Sequence, residues 1–214
     1  IRADAAEIYL MGDVFDFWFE YGTVVPKGYV RLLGKLAELS DAGIKLHWFT
    51  GNHDMWIFDY IPKEINCTLY RKPVTRIING KKFYLGHGDG LGPGDQGYKF
   101  IKKVFASKLC QWLFARVHPN LGMRVGNYLS RRSRIATGTS EDIYLGDDKE
   151  FLTIYCKEVL KKETFDFFIF GHRHLPLDIS LSVGSRYLNL GEWVNFSSYA
   201  VFDGEKLSLL RYEN

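Results

Sequence analysis

Four short apolar runs in this chain stop at a glycine, and after each glycine comes a side chain that can bind a metal ion. The runs are EIYLMGD (7–13), IKLHWFTGNHD (44–54), the second arm of VTRIINGKKFYLGHGD (74–89), and FDFFIFGHRH (165–174). Each has the length and composition of a buried strand. In open α/β sheets the ligand crevice lies outside the carboxyl ends of the strands. A glycine there permits the sharp turn that aims the next side chain into the crevice. Four of the six histidines, His53, His87, His172 and His174, sit in these turns. Each turn alone has an ordinary reading. A Gly-His is usually just a turn, an Asp after Gly caps a helix or faces solvent, and GNHD serves as an Asx-turn feeding a helix. Their joint occurrence is more specific: a carboxylate, a carboxamide and three imidazoles suit two divalent transition metals.

The intervening segments predict an α/β chain. GYVRLLGKLAELSDAG (28–43) places Val30, Leu33, Leu36 and Ala37 at helical spacing and stops at Gly43. Asn79-Gly80 and Asp203-Gly204 mark hairpins. KEFLTIYCKEVLKK (149–162) reads as a helix with Phe151, Leu152, Tyr155, Val159 and Leu160 on one side. LDISLSV and SRYLNLGE alternate around Gly184 as strands. Early βαβ units followed by hairpins predict a sandwich with a mixed sheet. With 214 residues, 46% of them hydrophobic, such a domain buries a core without disulfides. The three cysteines, Cys67, Cys110 and Cys156, form no CxxC pair and are expected as buried thiols in a reducing compartment. No apolar run approaches a membrane span, and IRADAAEIYLMGD shows no secretory signal.

Residues 99–134 stand apart. They hold nine Lys or Arg and no Asp or Glu, which leaves 19 basic against 25 acidic residues elsewhere. The net charge of +3 is therefore a sum of unlike parts. Ile101, Val104, Phe105, Leu109, Trp112, Leu113 and Val117 are expected on one helical face, in an insertion between two strands of the main sheet that is entered through the glycine-rich 90–97. One reading makes this an amphipathic cap packed on the sheet with solvated charges. The other makes it a lipid-binding cap, its apolar face lining an acyl-chain pocket and its basic face resting on anionic headgroups. The aromatics of FDFWFEY (15–21) are expected mostly as core.

The motifs GDVFD, GNHD, GHGD and GHRH resemble those of calcineurin-like metallophosphoesterases. MGDVFDFWFEY, GNHDMW, LGHGDGLGPGDQGYKF and LNLGEW are similar to the UDP-2,3-diacylglucosamine pyrophosphatases of lipid A biosynthesis within that superfamily. The resemblance spans essentially the whole chain. It implies a single domain over 1–214, a four-layer αββα sandwich with mixed sheets and a helical cap over about 93–147. It also implies hydrolysis of the lipid nucleotide to UMP and 2,3-diacylglucosamine 1-phosphate, assisted by two divalent ions, Mn with Fe or Zn as alternatives. Asp13 would bridge the metals, Asn52, His87 and His172 would bind one, and His174 the other. His53, oriented by Asp54, would act beside the transferring phosphoryl group. Asp16, Asp89 and Arg173 would stand behind the ligands or face phosphate, and Asp95 would contact substrate. The cap's Trp112, Arg131 and Arg132 join Asp95 and Arg173 as candidate substrate contacts. The implied location is cytoplasmic, peripheral to the inner membrane of a bacterium, with no nucleic-acid partner.

Two departures stand out. No Asp-x-His motif precedes Asp13, so residues upstream of Ile1 are expected to supply it, and without them the metal site holding His174 would be weak or empty. His53 stands where many pyrophosphatase members carry Arg. Three rival functions remain on sequence alone: another nucleotide, phosphodiester or phosphoprotein phosphatase; a nucleic-acid binder using the basic aromatic segment; and a non-catalytic scaffold.

Overall fold

A computed structural model of the protein describes residues 4–94, 96–141, 144 and 146–213. The chain divides into two compact units, 1–72 with 99–134, and 73–98 with 135–214.

The first unit opens with two parallel crossovers. Strand β1 (Glu7–Leu10) leads into helix α1 (Val30–Asp41), strand β2 (Lys45–Phe49), the short helix α2 (Tyr60–Glu64) and strand β3 (Cys67–Tyr70). The sheet order is β1-β2-β3, parallel throughout. The core gathers Leu36, Leu39, Leu46, Trp48, Ile57 and Ile61. Val30, one of the apolar residues at helical spacing, is 79% exposed. It is the first residue of the helix, before the apolar stripe that Leu36 and Leu39 complete has turned inward.

The aromatic segment 15–21 does more than fill the core. Phe15, Trp18 and Phe19 are buried. Trp18 N donates to His53 O at 3.2 Å and Glu20 N to Trp56 O at 3.3 Å, so the segment runs alongside the residues that follow β2. Buried Glu20 accepts from the backbone N–H groups of Phe58, Asp59 and Tyr60 at 2.7, 2.9 and 3.1 Å. A carboxylate at the amino end of α2 meets donors that the helix itself leaves unpaired.

The second unit carries a mixed five-stranded sheet. Strand β4 (Val74–Ile78) turns through Asn79 (φ 48°) and Gly80 (φ 78°) into antiparallel β5 (Lys81–Gly86), the expected hairpin. The chain then runs through helices α3 (Gln96–Ala106), α4 (Lys108–Phe114), α5 (Pro119–Glu141) and α6 (Phe151–Leu160) before β6 (Phe167–Phe170). Strands β7 (Pro176–Ser182) and β8 (Ser185–Leu190) follow, and β9 (Ser198–Phe202) and β10 (Leu207–Arg211) form a separate hairpin. The sheet order is β4-β5-β6-β8-β7, with β5, β6 and β8 parallel. All four residues of β6 are buried. Phe168 and Phe170 pack with Leu152, Cys156, Phe165 and Tyr187, each large side chain worth about 1.5–3 kcal/mol of burial.

The insertion lies between β5 and β6, as expected, and its 99–134 stretch belongs to the first unit. It is not one continuous helical face. Ser107 interrupts it: its backbone is extended and its side chain accepts from Cys110 N, capping α4 anew. Among the cysteines, burial pushes the Cys67 thiol up to about 11 and raises Cys156 further, so both behave as apolar side chains. Cys110 is only half-buried. No helix among the described residues is long and apolar enough to cross a membrane.

Candidate functional site

In the first unit, the pairing of β1 with β2 puts two of the glycine turns at the same carboxyl edge. Leu10 and Trp48 are register partners, and Gly12-Asp13 and Gly51–Asp54 follow them. Asp13 itself takes the left-handed conformation, φ 54°, and its Oδ1 accepts from His53 N at 2.8 Å. Gly51 has no positive φ. Glycine is needed there for space: a Cβ would stand 2.1 Å from Asp13 Oδ1. Asp54 is fully buried and ties the two turns together, accepting from Gly51 N at 2.6 Å and Val14 N at 3.0 Å. Charge-assisted bonds of this kind contribute about 1.5–3 kcal/mol each. The ring of His53 meets Ser130 of α5, Nδ1 to Oγ, at 2.8 Å. Asn52 is half-buried in the same turn, and Asp16 is exposed.

In the second unit the same device recurs. Gly86 and Phe170 are register partners in parallel β5 and β6, and the turns that follow are linked by Gly171 N donating to His87 O at 2.9 Å. His172 is left-handed, φ 62°. Among the described residues, two of the five non-glycine residues with positive φ are thus predicted metal ligands, Asp13 and His172, and such backbone strain concentrates where side chains must be aimed. The rings of His87 and His172 stand edge to face with centroids 5.1 Å apart, and a ligand nitrogen of each lies within 4.8 Å of the other. Buried Asp89 accepts from Tyr98 Oη. His174 is half-buried in the turn after β6.

Arg173 lies between the two histidines and is 5% exposed. Its Nε and Nη2 donate to the two oxygens of buried Glu150, at 3.0 and 3.2 Å. This two-point pair holds the turn and engages the guanidinium. Asn189, fully buried on β8, braces the turn from the other side by donating to Gly171 O and accepting from Gly191 N. Glu150, Asn189 and Ser130 escaped the motif reading. Nothing local marks Glu150 or Ser130, and only Asn189 falls inside a stretch singled out by resemblance, LNLGEW.

The donor chemistry fits divalent cations: carboxylate and carboxamide oxygens in one unit, imidazoles in the other. The remaining two histidines are otherwise occupied. His47 stacks on Tyr9 and contacts Glu7 and Tyr70, while His118 accepts from Asn120 N at the start of α5.

The insertion and Trp56 line an open pocket of about 310 Å³, at the small end of ligand pockets. Its lining is Trp56, Phe105, Cys110, Leu113, Phe114 and Val117. Trp112 is not among them; it is 55% exposed, with the Arg116 guanidinium over its ring at 4.6 Å. Arg131 and Arg132 are exposed on α5. Asp95 lies outside the described residues.

A sequence profile described as calcineurin-like phosphoesterase matches residues 2–176. A protein of Porphyromonas gingivalis named UDP-2,3-diacylglucosamine hydrolase is 42% identical over 226 residues, spanning 100% of this chain and 86% of that protein. Proteins of the same name from Pseudomonas syringae and Aeromonas hydrophila are each 27% identical, over 89% and 93% of this chain and 76% and 81% of their own. Among solved structures, wild-type Vps29 from Entamoeba histolytica aligns over 95% of this chain and 89% of its own at 13% identity, with a TM-score of 0.38.

Proposed function

The chain belongs to the calcineurin-like phosphoesterase family, and from that premise we propose that it hydrolyses the pyrophosphate of UDP-2,3-diacylglucosamine to UMP and 2,3-diacylglucosamine 1-phosphate. One observation carries the reading. A strand-end set of carboxylate, carboxamide and imidazole donors occurs in the same chain as a helical insertion whose 99–134 stretch carries no acid and lines a largely apolar pocket. A water-soluble phosphate ester needs the first and not the second.

The family implies divalent metal ions, and the donors present fit them. Asp13, Asn52, His87, His172 and His174 would hold two, with manganese the expected metal. When bound, such a pair supplies Lewis acidity and a nucleophilic water at neutral pH. The chain's own residues do the rest. Asp54 fixes the two first-unit turns, so Asp13 and His53 keep their relative positions. His53 stands as a hydrogen-bonding or proton-donating partner for the phosphoryl oxygens, where charge grows as the pyrophosphate bond breaks. Arg173, held by Glu150, keeps the turn bearing His172 and His174 in shape. The cavity among α3, α4 and Trp56 takes acyl carbons, and the exposed Arg131 and Arg132 meet phosphate or anionic headgroups at a membrane surface.

Purified protein supplied with Mn²⁺ should release UMP from the detergent-dispersed lipid nucleotide, and EDTA should stop it. His87→Ala or Asp13→Asn should reduce turnover to background. Full activity in either variant contradicts the assignment of the donors.

A further inference from the structure

We propose that Ser130 is a positioning residue for His53: through its hydroxyl, helix α5 of the insertion sets the orientation of the imidazole beside the phosphoryl group. The inference rests on the reading of His53 given above.

Ser130 sits mid-helix, where a serine hydroxyl ordinarily turns back to a carbonyl of its own helix or to water. Here Ser130 is 6% exposed and its Oγ lies 2.8 Å from His53 Nδ1. The contact is held in register by the two preceding turns of the same helix face. Positions i, i+4 and i+8 of a helix lie one above another, and in α5 these are Gly122, Gly126 and Ser130. A Cβ on Gly122 would stand 2.2 Å from Tyr21 Oη, and one on Gly126 would stand 2.4 Å from the Phe17 ring. The helix backbone therefore rests directly on the 17–21 segment. That segment pairs with the residues after β2, with Trp18 N donating to His53 O. The seat of α5 and the backbone of His53 thus share one support.

His53 is consequently held at three points: its N–H by Asp13 Oδ1, its carbonyl by Trp18 N, and its ring Nδ1 by Ser130. With Nδ1 engaged, the phosphoryl group would be met by Nε2. The insertion then has two tasks, since the helix that carries the basic exposed face also sets the ring. Losing an interaction that orients a site residue commonly lowers activity 10- to 100-fold.

The test is a double-mutant cycle with a spectroscopic arm. Ser130→Ala should lower kcat about 10-fold with little change in KM for the lipid nucleotide. Ser130→Thr, which keeps the hydroxyl, should retain most of kcat. On a His53→Ala background, Ser130→Ala should cost nothing further. In metal-free protein with ¹⁵N-labelled histidine, Ser130→Ala should shift the ring nitrogens of the one histidine whose signals His53→Ala removes. An unchanged kcat in Ser130→Ala, with kcat lowered in His53→Ala, overturns the positioning role and leaves the reading of His53 standing. Full kcat in His53→Ala overturns that reading and the inference together. Equal losses from Ser130→Ala on both backgrounds, a loss in Ser130→Thr as large as in Ser130→Ala, or unmoved His53 ring signals would each also overturn the proposal.

Discussion

The three-stranded sheet and the 99–134 stretch of the insertion belong to one compact unit, yet they place their apolar side chains in opposite surroundings. Around the sheet, Trp18, Trp48, Ile57 and Ile61 are completely buried. In the insertion, Phe100, Leu109, Trp112, Leu121, Tyr128 and Leu129 are each more than half exposed. An inner layer joins the two, beside the seat of α5 on the 17–21 segment. Phe105 and Phe114 pack on Trp56, and Trp56 Nε1 donates to Phe105 O at 2.8 Å. An apolar face that a fold leaves in water, set among nine basic residues with no acid, is not explained by stability. Under the proposed function, the contrast separates residues that hold the fold from residues left to meet an amphiphilic substrate.

Three variants would sharpen or break that separation. The largest stability loss belongs to the sheets. Phe168→Ala, at a fully buried site, should cost about 4 kcal/mol in urea-induced unfolding. Glu20→Ala leaves the donors at the start of α2 without their carboxylate and should cost about 3 kcal/mol by the same measurement. The smallest effect belongs to the insertion. Phe100→Ser with Leu109→Ser should change stability by no more than about 0.5 kcal/mol, because neither side chain is packed away from water. The same pair should raise KM for the lipid nucleotide and weaken sedimentation with vesicles rich in phosphatidylglycerol. A loss of stability as large as that of Phe168→Ala, with KM unmoved, would make the insertion ordinary core.

Much of this architecture is legible in the sequence where the cause is local. Asn79-Gly80 and Asp203-Gly204 each supply a turn, and Asp203 Oδ1 accepts from Glu205 N and Lys206 N as the second one closes. The apolar runs become strands because nothing within them competes. What escapes the sequence depends on partners far along the chain. The periodicity of 99–117 continues through Ser107, so it hides the break that the serine cap makes. Glycine is the obvious candidate for strained backbone at the turns, yet Asp13 and His172 carry positive φ themselves, and Gly51 is there because the Asp13 carboxylate fills the place of a Cβ. Arg173 reads as a cation behind the ligands or facing phosphate, and its buried carboxylate partner Glu150, 23 residues earlier, has no mark in the sequence. Ser130 reads as one polar residue in a basic helix until the fold sets it on His53, 77 positions away.

The central claim is that the apolar insertion and the strand-end donors serve one substrate. Its most direct test compares kcat/KM for UDP-2,3-diacylglucosamine with that for UDP-N-acetylglucosamine, which carries the same pyrophosphate and lacks the long acyl chains. The account predicts a preference for the acylated nucleotide of at least about 100-fold, which Phe100→Ser with Leu109→Ser reduces. Equal hydrolysis of the two by the wild-type protein would contradict it.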